Sequence, residues 1–64
     1  LQQRWGLTPR EADIVVRVNQ GERNRRIAEE LGVNEQTVKN HIAAVYKKLG
    51  VSSRVELLNL LDKR

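Results

Sequence analysis

The stretch "NEQTVKNHIAAVYKKLG", Asn34 to Gly50, carries apolar residues at Val38, Ile42, Val45 and Leu49, spaced by four, three and four. At about 100° per residue these four fall on one stripe, which predicts a helix over 35–49. Asn34 supplies a side-chain acceptor for the first-turn amides, and Gly50 supplies a residue that can turn left-handed after the last turn. The rest of the circumference is a different surface. With Lys39 set at zero, Ala43 falls at about 40°, Gln36 at about 60°, Lys47 at about 80° and Asn40 at about 100°, while the apolar stripe centres near 270°.

Working outward, Val33 precedes the cap and can pack on Val38 as a hydrophobic staple. Gly32 stops a shorter preceding helix, predicted over 25–31, whose face is Ile27, Ala28 and Leu31. Only about three residues join the two helices, the spacing of a helix-turn-helix. Further upstream, Thr8, Pro9 and Glu11 make a capping box with proline at the first helical position, opening a helix over 9–20 that Gly21 ends. Its β-branched run of Ile14, Val15, Val16 and Val18 could be a strand by composition, but the cap and the lack of a partner strand favour helix. Downstream, Ser53 and Glu56 form a second capping box for a helix over 54–62. The expected fold is all-α, four helices, with residues 1–6 a lead-in and 7–62 one domain.

Length and composition narrow the function. A chain of 64 residues buries only about 60% of its unfolded surface, which suits a module better than an enzyme with a deep cleft. There is no cysteine, so neither a disulfide nor a thiolate metal site can staple it. No apolar run reaches the roughly 20 residues of a membrane span, and no signal core is present, so a cytoplasmic location is expected. The start at Leu1, without methionine, reads as part of a longer chain with any sensing domain upstream. Lysines and arginines number 12 against 8 acidic residues, a net charge of +4, which permits an anionic partner. The excess sits on the quoted helix, where Lys39, Lys47 and Lys48 face only Glu35.

The polar face is built from residue types that read the major groove: lysine toward guanine acceptors, asparagine or glutamine toward adenine, and alanine against a thymine methyl. A solvated face would carry similar residues. The short turn before the helix and the flanking cations favour groove docking, with bases read by Lys39, Asn40, Ala43 and Gln36 and phosphate held by Lys47.

Four segments in order, "LTPRE" at Leu7–Glu11, "GERNRRIAEEL" at Gly21–Leu31, "TVKNH" at Thr37–His41 and "KLGVSSR" at Lys48–Arg54, make the chain resemble a LuxR-type helix-turn-helix domain. Such domains form the DNA-binding end of many bacterial transcriptional regulators and response regulators. The resemblance covers Leu7 to Leu61. It implies that the second and third helices form the helix-turn-helix, that the third enters the major groove of double-stranded DNA, and that the fourth pairs two domains as a homodimer. It also implies base-facing roles for Lys39, Asn40 and Ala43, and phosphate contacts for Asn24, Arg25 and Thr37. His41, beside the apolar stripe, is expected to pack or to bond backbone, and the resemblance allows it a phosphate.

Two positions depart from the family pattern. Arg23 stands where Ser or Thr is common, and Arg26 where an acidic residue or Gln is common. The second helix thereby loses its usual cap, leaving Asn24 as the expected N-cap and Arg23 as an added phosphate contact. A Glu11–Arg54 bridge is suggested by the family pattern alone. Trp5 and Tyr46 are expected to cover the core. In the fourth helix, Val55 and Leu58 widen the apolar arc to about 220°, more than one small core requires, and point to a dimer contact.

Two rivals follow from the same residues. The basic helix could hold an acidic protein partner, such as an RNA polymerase subunit or the regulator's own receiver domain. An enzyme fails on inventory: one histidine, no cysteine and no glycine-rich phosphate loop. No metal ligand set or cofactor motif is present.

Overall fold

A computed structural model describes residues 6–62, which form α1 (Pro9–Asn19), α2 (Asn24–Leu31), α3 (Glu35–Leu49) and α4 (Arg54–Asp62). No strand occurs among the described residues. Trp5, expected to cover the core, lies outside them.

Local chemistry sets most of the boundaries. At α1, the Glu11 amide donates to Thr8 Oγ1 at 3.1 Å, the Thr8 amide donates to Glu11 Oε1 at 2.9 Å, and Pro9 occupies the first helical position. The helix closes one residue earlier than expected, with Gln20 as its C-cap. Asn34 caps α3 by accepting the Thr37 amide at 2.8 Å. Both α2 and α3 end on glycines in the left-handed region, Gly32 at φ 71° and Gly50 at φ 72°, a conformation that costs a residue with a Cβ about 1–2 kcal/mol. Beyond each glycine an amide reaches back five residues, Val33 to the Ala28 carbonyl at 3.1 Å and Val51 to the Tyr46 carbonyl at 3.0 Å. These bonds satisfy the final carbonyls and turn the chain sharply.

Three expectations are corrected. Asn24 does not cap α2: the extended residue is Arg23, whose carbonyl accepts the Ile27 amide at 3.0 Å. Capping needs an extended backbone, and Asn24 is already helical, its Oδ1 buried without a hydrogen-bond partner. The second capping box is only half formed. Glu56 accepts from the Ser52 amide at 2.7 Å instead of the Ser53 amide, while its own amide donates to Ser53 Oγ at 3.2 Å. Glu11 and Arg54 do not meet. Glu11 pairs with Lys48 at 2.7 Å, and Arg54 donates to the Glu22 carbonyl at 2.7 Å.

The core joins Ile14, Val15 and Val18 of α1, Ile27 and Ala28 of α2, the α3 stripe of Val38, Ile42 and Val45, and Leu57 and Leu61 of α4, with Leu7 closing it from just ahead of α1. Leu31, Val33, Tyr46 and Leu49 pack around its edge. The α3 stripe is therefore anchored from several sides, and at about 25 cal/mol per Å² of apolar surface this burial is the main stabilising term. Arg17 adds a polar tie between α1 and α2, pairing with Asp13 at 3.2 Å, with Glu30, and with Glu22 at 3.6 Å.

Candidate nucleic-acid interface

Because Val38, Ile42 and Val45 are buried, the phase of α3 is fixed and its opposite side must face outward. Gln36, Lys39, Asn40, Ala43 and Lys47 are all exposed. Neither Lys39 nor Lys47 pairs with a carboxylate among the described residues. Their ammonium groups therefore project from a surface whose one small residue, Ala43, leaves room for close approach. Gln36 Nε2 donates to Asn40 Oδ1 at 3.0 Å, linking two of the face's amides across one turn.

Lys48 belongs elsewhere. Its ammonium donates to Glu11 Oε1 at 2.7 Å and to the Gly6 carbonyl at 3.2 Å, so it ties the C-terminal end of α3 to the start of α1. In the sequence it belongs to the basic excess of the helix, but in the fold its charge is neutralised. The Lys48 ammonium, followed by the Thr8 amide, holds the Glu11 carboxyl below the usual glutamate value despite burial. Sequence spacing gave no sign of this pair, which spans 37 positions.

The predicted phosphate positions fall into two groups. Arg23 is exposed at the start of α2 and has no ion-pair partner among the described residues. Arg25 is exposed beside it and sits 3.7 Å from Glu29, a weak contact that a stronger anion could displace. Thr37 and Asn24 are more enclosed. The Thr37 hydroxyl donates to Asn34 Oδ1 at 2.9 Å, and Asn24 is half-buried. Arg26 pairs with Glu30 at 3.0 Å. His41 lies half-buried at the flank of α3 and makes no side-chain hydrogen bond among the described residues.

On α4, Val55 is 67% exposed, whereas Leu58 is half-buried and packs against the core. The two residues expected to share a surface are thus unequal, and Val55 is the one that projects. Among the described residues, no group of three His, Asp or Glu side chains gathers where it could hold a metal ion, and no helix is long and apolar enough to cross a membrane.

Comparison with known proteins agrees with the geometry. The family model described as GerE, bacterial regulatory proteins of the luxR family, matches residues 6–61. A candidate HTH-type transcriptional regulator of Mycobacterium bovis is 46% identical over 61 residues, covering 94% of this chain and 7% of that protein. The nitrate/nitrite response regulator protein NarL of Escherichia coli is 48% identical over 50 residues, 78% of this chain and 23% of NarL. The HTH-type transcriptional activator RamA of Corynebacterium glutamicum is 37% identical over 59 residues, 92% of this chain and 21% of RamA. The chain thus spans under a quarter of the length of these relatives. The short turn into α3, its exposed amide and lysine face and the match over residues 6–61 lead to one conclusion: the chain belongs to the LuxR family of bacterial regulatory proteins.

Proposed function

We propose that this chain is the effector domain of a bacterial transcription regulator, binding double-stranded DNA sequence-specifically with α3 in the major groove. The observation that carries the reading is the outward side of α3, where unpaired Lys39 and Lys47 flank the exposed amides of Gln36 and Asn40 and the small Ala43. Lys39, Asn40, Ala43 and Gln36 are the base readers, and Arg23, Arg25 and Lys47, with Asn24 and Thr37 at the edge, hold phosphate. Of these, Thr37 must release its hydrogen from Asn34 to donate to phosphate, so its contribution is the smallest. Two copies meet through Val55 and the edge of Leu58. The regulator works in the cytoplasm, with a sensing or receiver domain elsewhere in the longer protein and RNA polymerase as a further partner.

Selection of bound duplexes from a randomised library tests this directly. The expected product is a motif of two inverted half-sites about ten base pairs apart, centre to centre. Lys39→Ala should cost about 1–3 kcal/mol of specific binding and relax the preference at one position. Lys47→Ala should weaken binding alike on all sequences and lower the salt dependence by about one counterion. Salt-sensitive binding with no enriched sequence would overturn base reading and leave a basic helix that holds an acidic partner.

A further inference from the structure

Gln36 and Asn40 stand one turn apart on the exposed side of α3, joined by the 3.0 Å bond from Gln36 Nε2 to Asn40 Oδ1. The other side-chain hydrogen bonds of this helix have evident structural duties: Thr37 completes the Asn34 cap, and Lys48 fastens α3 to Glu11 and Gly6. The Gln36–Asn40 bond is different. It joins two groups that a groove-bound α3 aims at bases, and a solvent-exposed amide pair of this spacing adds little to helix stability.

Its consequence lies in orientation. The terminal torsion of asparagine is broad and roughly two-fold, so an isolated exposed carboxamide turns over freely. Turned one way it offers its oxygen on a given side, turned the other way its NH2, and the two present opposite patterns to a base edge. Adenine needs an acceptor for N6–H2 and a donor for N7 in a fixed arrangement. By donating to Oδ1, Gln36 sets the oxygen toward the N-terminal neighbour and Nδ2 away from it. One lone pair of Oδ1 and the Nδ2 hydrogens remain for a base. Gln36, with one amide hydrogen engaged, is correspondingly less able to read a base by itself.

We infer that Gln36 is a positioning residue for Asn40, its amide holding the Asn40 carboxamide in one orientation so that the two side chains read a single A·T pair as a unit. The inference rests on α3 occupying the major groove. It assigns the two residues one base pair between them instead of one each.

The experiment is the same duplex selection, carried out with the unaltered chain, Gln36→Ala, Asn40→Ala, the double variant and Gln36→Glu. Preferences are compared within each variant, so uniform changes in phosphate attraction cancel. The unaltered chain should enrich adenine at one position of each half-site. Asn40→Ala should reduce that enrichment about tenfold or more. Gln36→Ala should reduce it several-fold at that position and leave the others intact, and the double variant should match Asn40→Ala. Glutamate at 36 has no hydrogen to donate and can only accept from Asn40 Nδ2, so Gln36→Glu should change which base is preferred there. The inference is overturned if Gln36→Ala and Asn40→Ala act at different positions and add in the double variant. It is equally overturned if the preference at the Asn40 position is indifferent to residue 36, for the bond is then only a helix contact. An unaltered chain that enriches no sequence overturns the groove reading itself, and with it the inference; failure of the inference alone leaves a recovered motif.

Discussion

Glu11 is only 6% exposed and is the one charged residue buried among those described. It can be buried because two donors meet its carboxylate, the Thr8 amide and the Lys48 ammonium, so that little charge is left unpaired. With the Lys48 hydrogen bond foremost, its pKa lies below the ordinary value of 4.5. A folded value below the unfolded one means that the carboxylate adds stability above the unfolded value and ceases to as pH falls through the folded one. Stability of the chain should therefore decline on acidification from about pH 5 downward. Glu11→Gln, which keeps an acceptor but loses the charge, should be less stable at neutral pH by about 1–2 kcal/mol. Its acid dependence should also be shallower than that of the unaltered chain. Urea unfolding midpoints across this pH range check both points; parallel curves would show that Glu11 is not among the groups responsible.

At the scale of the helices, α2 is the element whose sequence and cap disagree. Its N-cap residue, Arg23, makes no side-chain cap bond, and its first turn holds no acidic residue. The helix stands because Ile27 and Ala28 are buried against the other helices, so packing outweighs a poor start. Arg23→Ser should then stabilise the domain by about 0.5–1 kcal/mol, read from thermal unfolding. In the proposed function the same change removes a phosphate contact and should weaken duplex binding on all sequences alike. An arginine at a capping position is thus explained if stability is given up for anion binding. Caps and stops act within three or four residues, so Thr8–Glu11, Asn34, Gly32 and Gly50 could be read directly, as could the α3 stripe and the polar face opposite it. Asn24 has the residue type of a cap, yet Arg23 is the extended residue and Asn24 is already helical, in a helix held by the burial of Ile27 and Ala28, which local spacing does not encode. Lys48–Glu11 and Arg54–Glu22 join positions 37 and 32 residues apart, and no local spacing encodes them.

Over the whole molecule, those two long-range ties hold the ends of α3 and α4 to the α1 side of the core, so that the exposed polar face of α3 and the exposed Val55 of α4 are fixed relative to each other. That rigidity matters for the proposed dimer, because the spacing of two half-sites is set by how far apart two copies place their α3 helices. A two-fold interface brings each residue near the axis close to its own copy. Val55→Asp would therefore set two carboxylates against each other while disturbing one chain little, since a residue 67% exposed changes stability by no more than about 0.5 kcal/mol. Leu58→Asp is the poorer probe, because Leu58 packs against the core and its loss would unsettle the fold as well. On a duplex with two inverted half-sites, the unaltered chain should occupy the second site about tenfold or more tightly than the first, a coupling of about 1.4 kcal/mol. Val55→Asp should bind the two sites independently with its single-site affinity unchanged. Gel-shift titration on duplexes carrying one or two half-sites separates these quantities. Cooperative binding that survives Val55→Asp would move the interface off the exposed side of α4, while lost affinity for a single half-site would mean that α4 supports α3 and does not pair the domains.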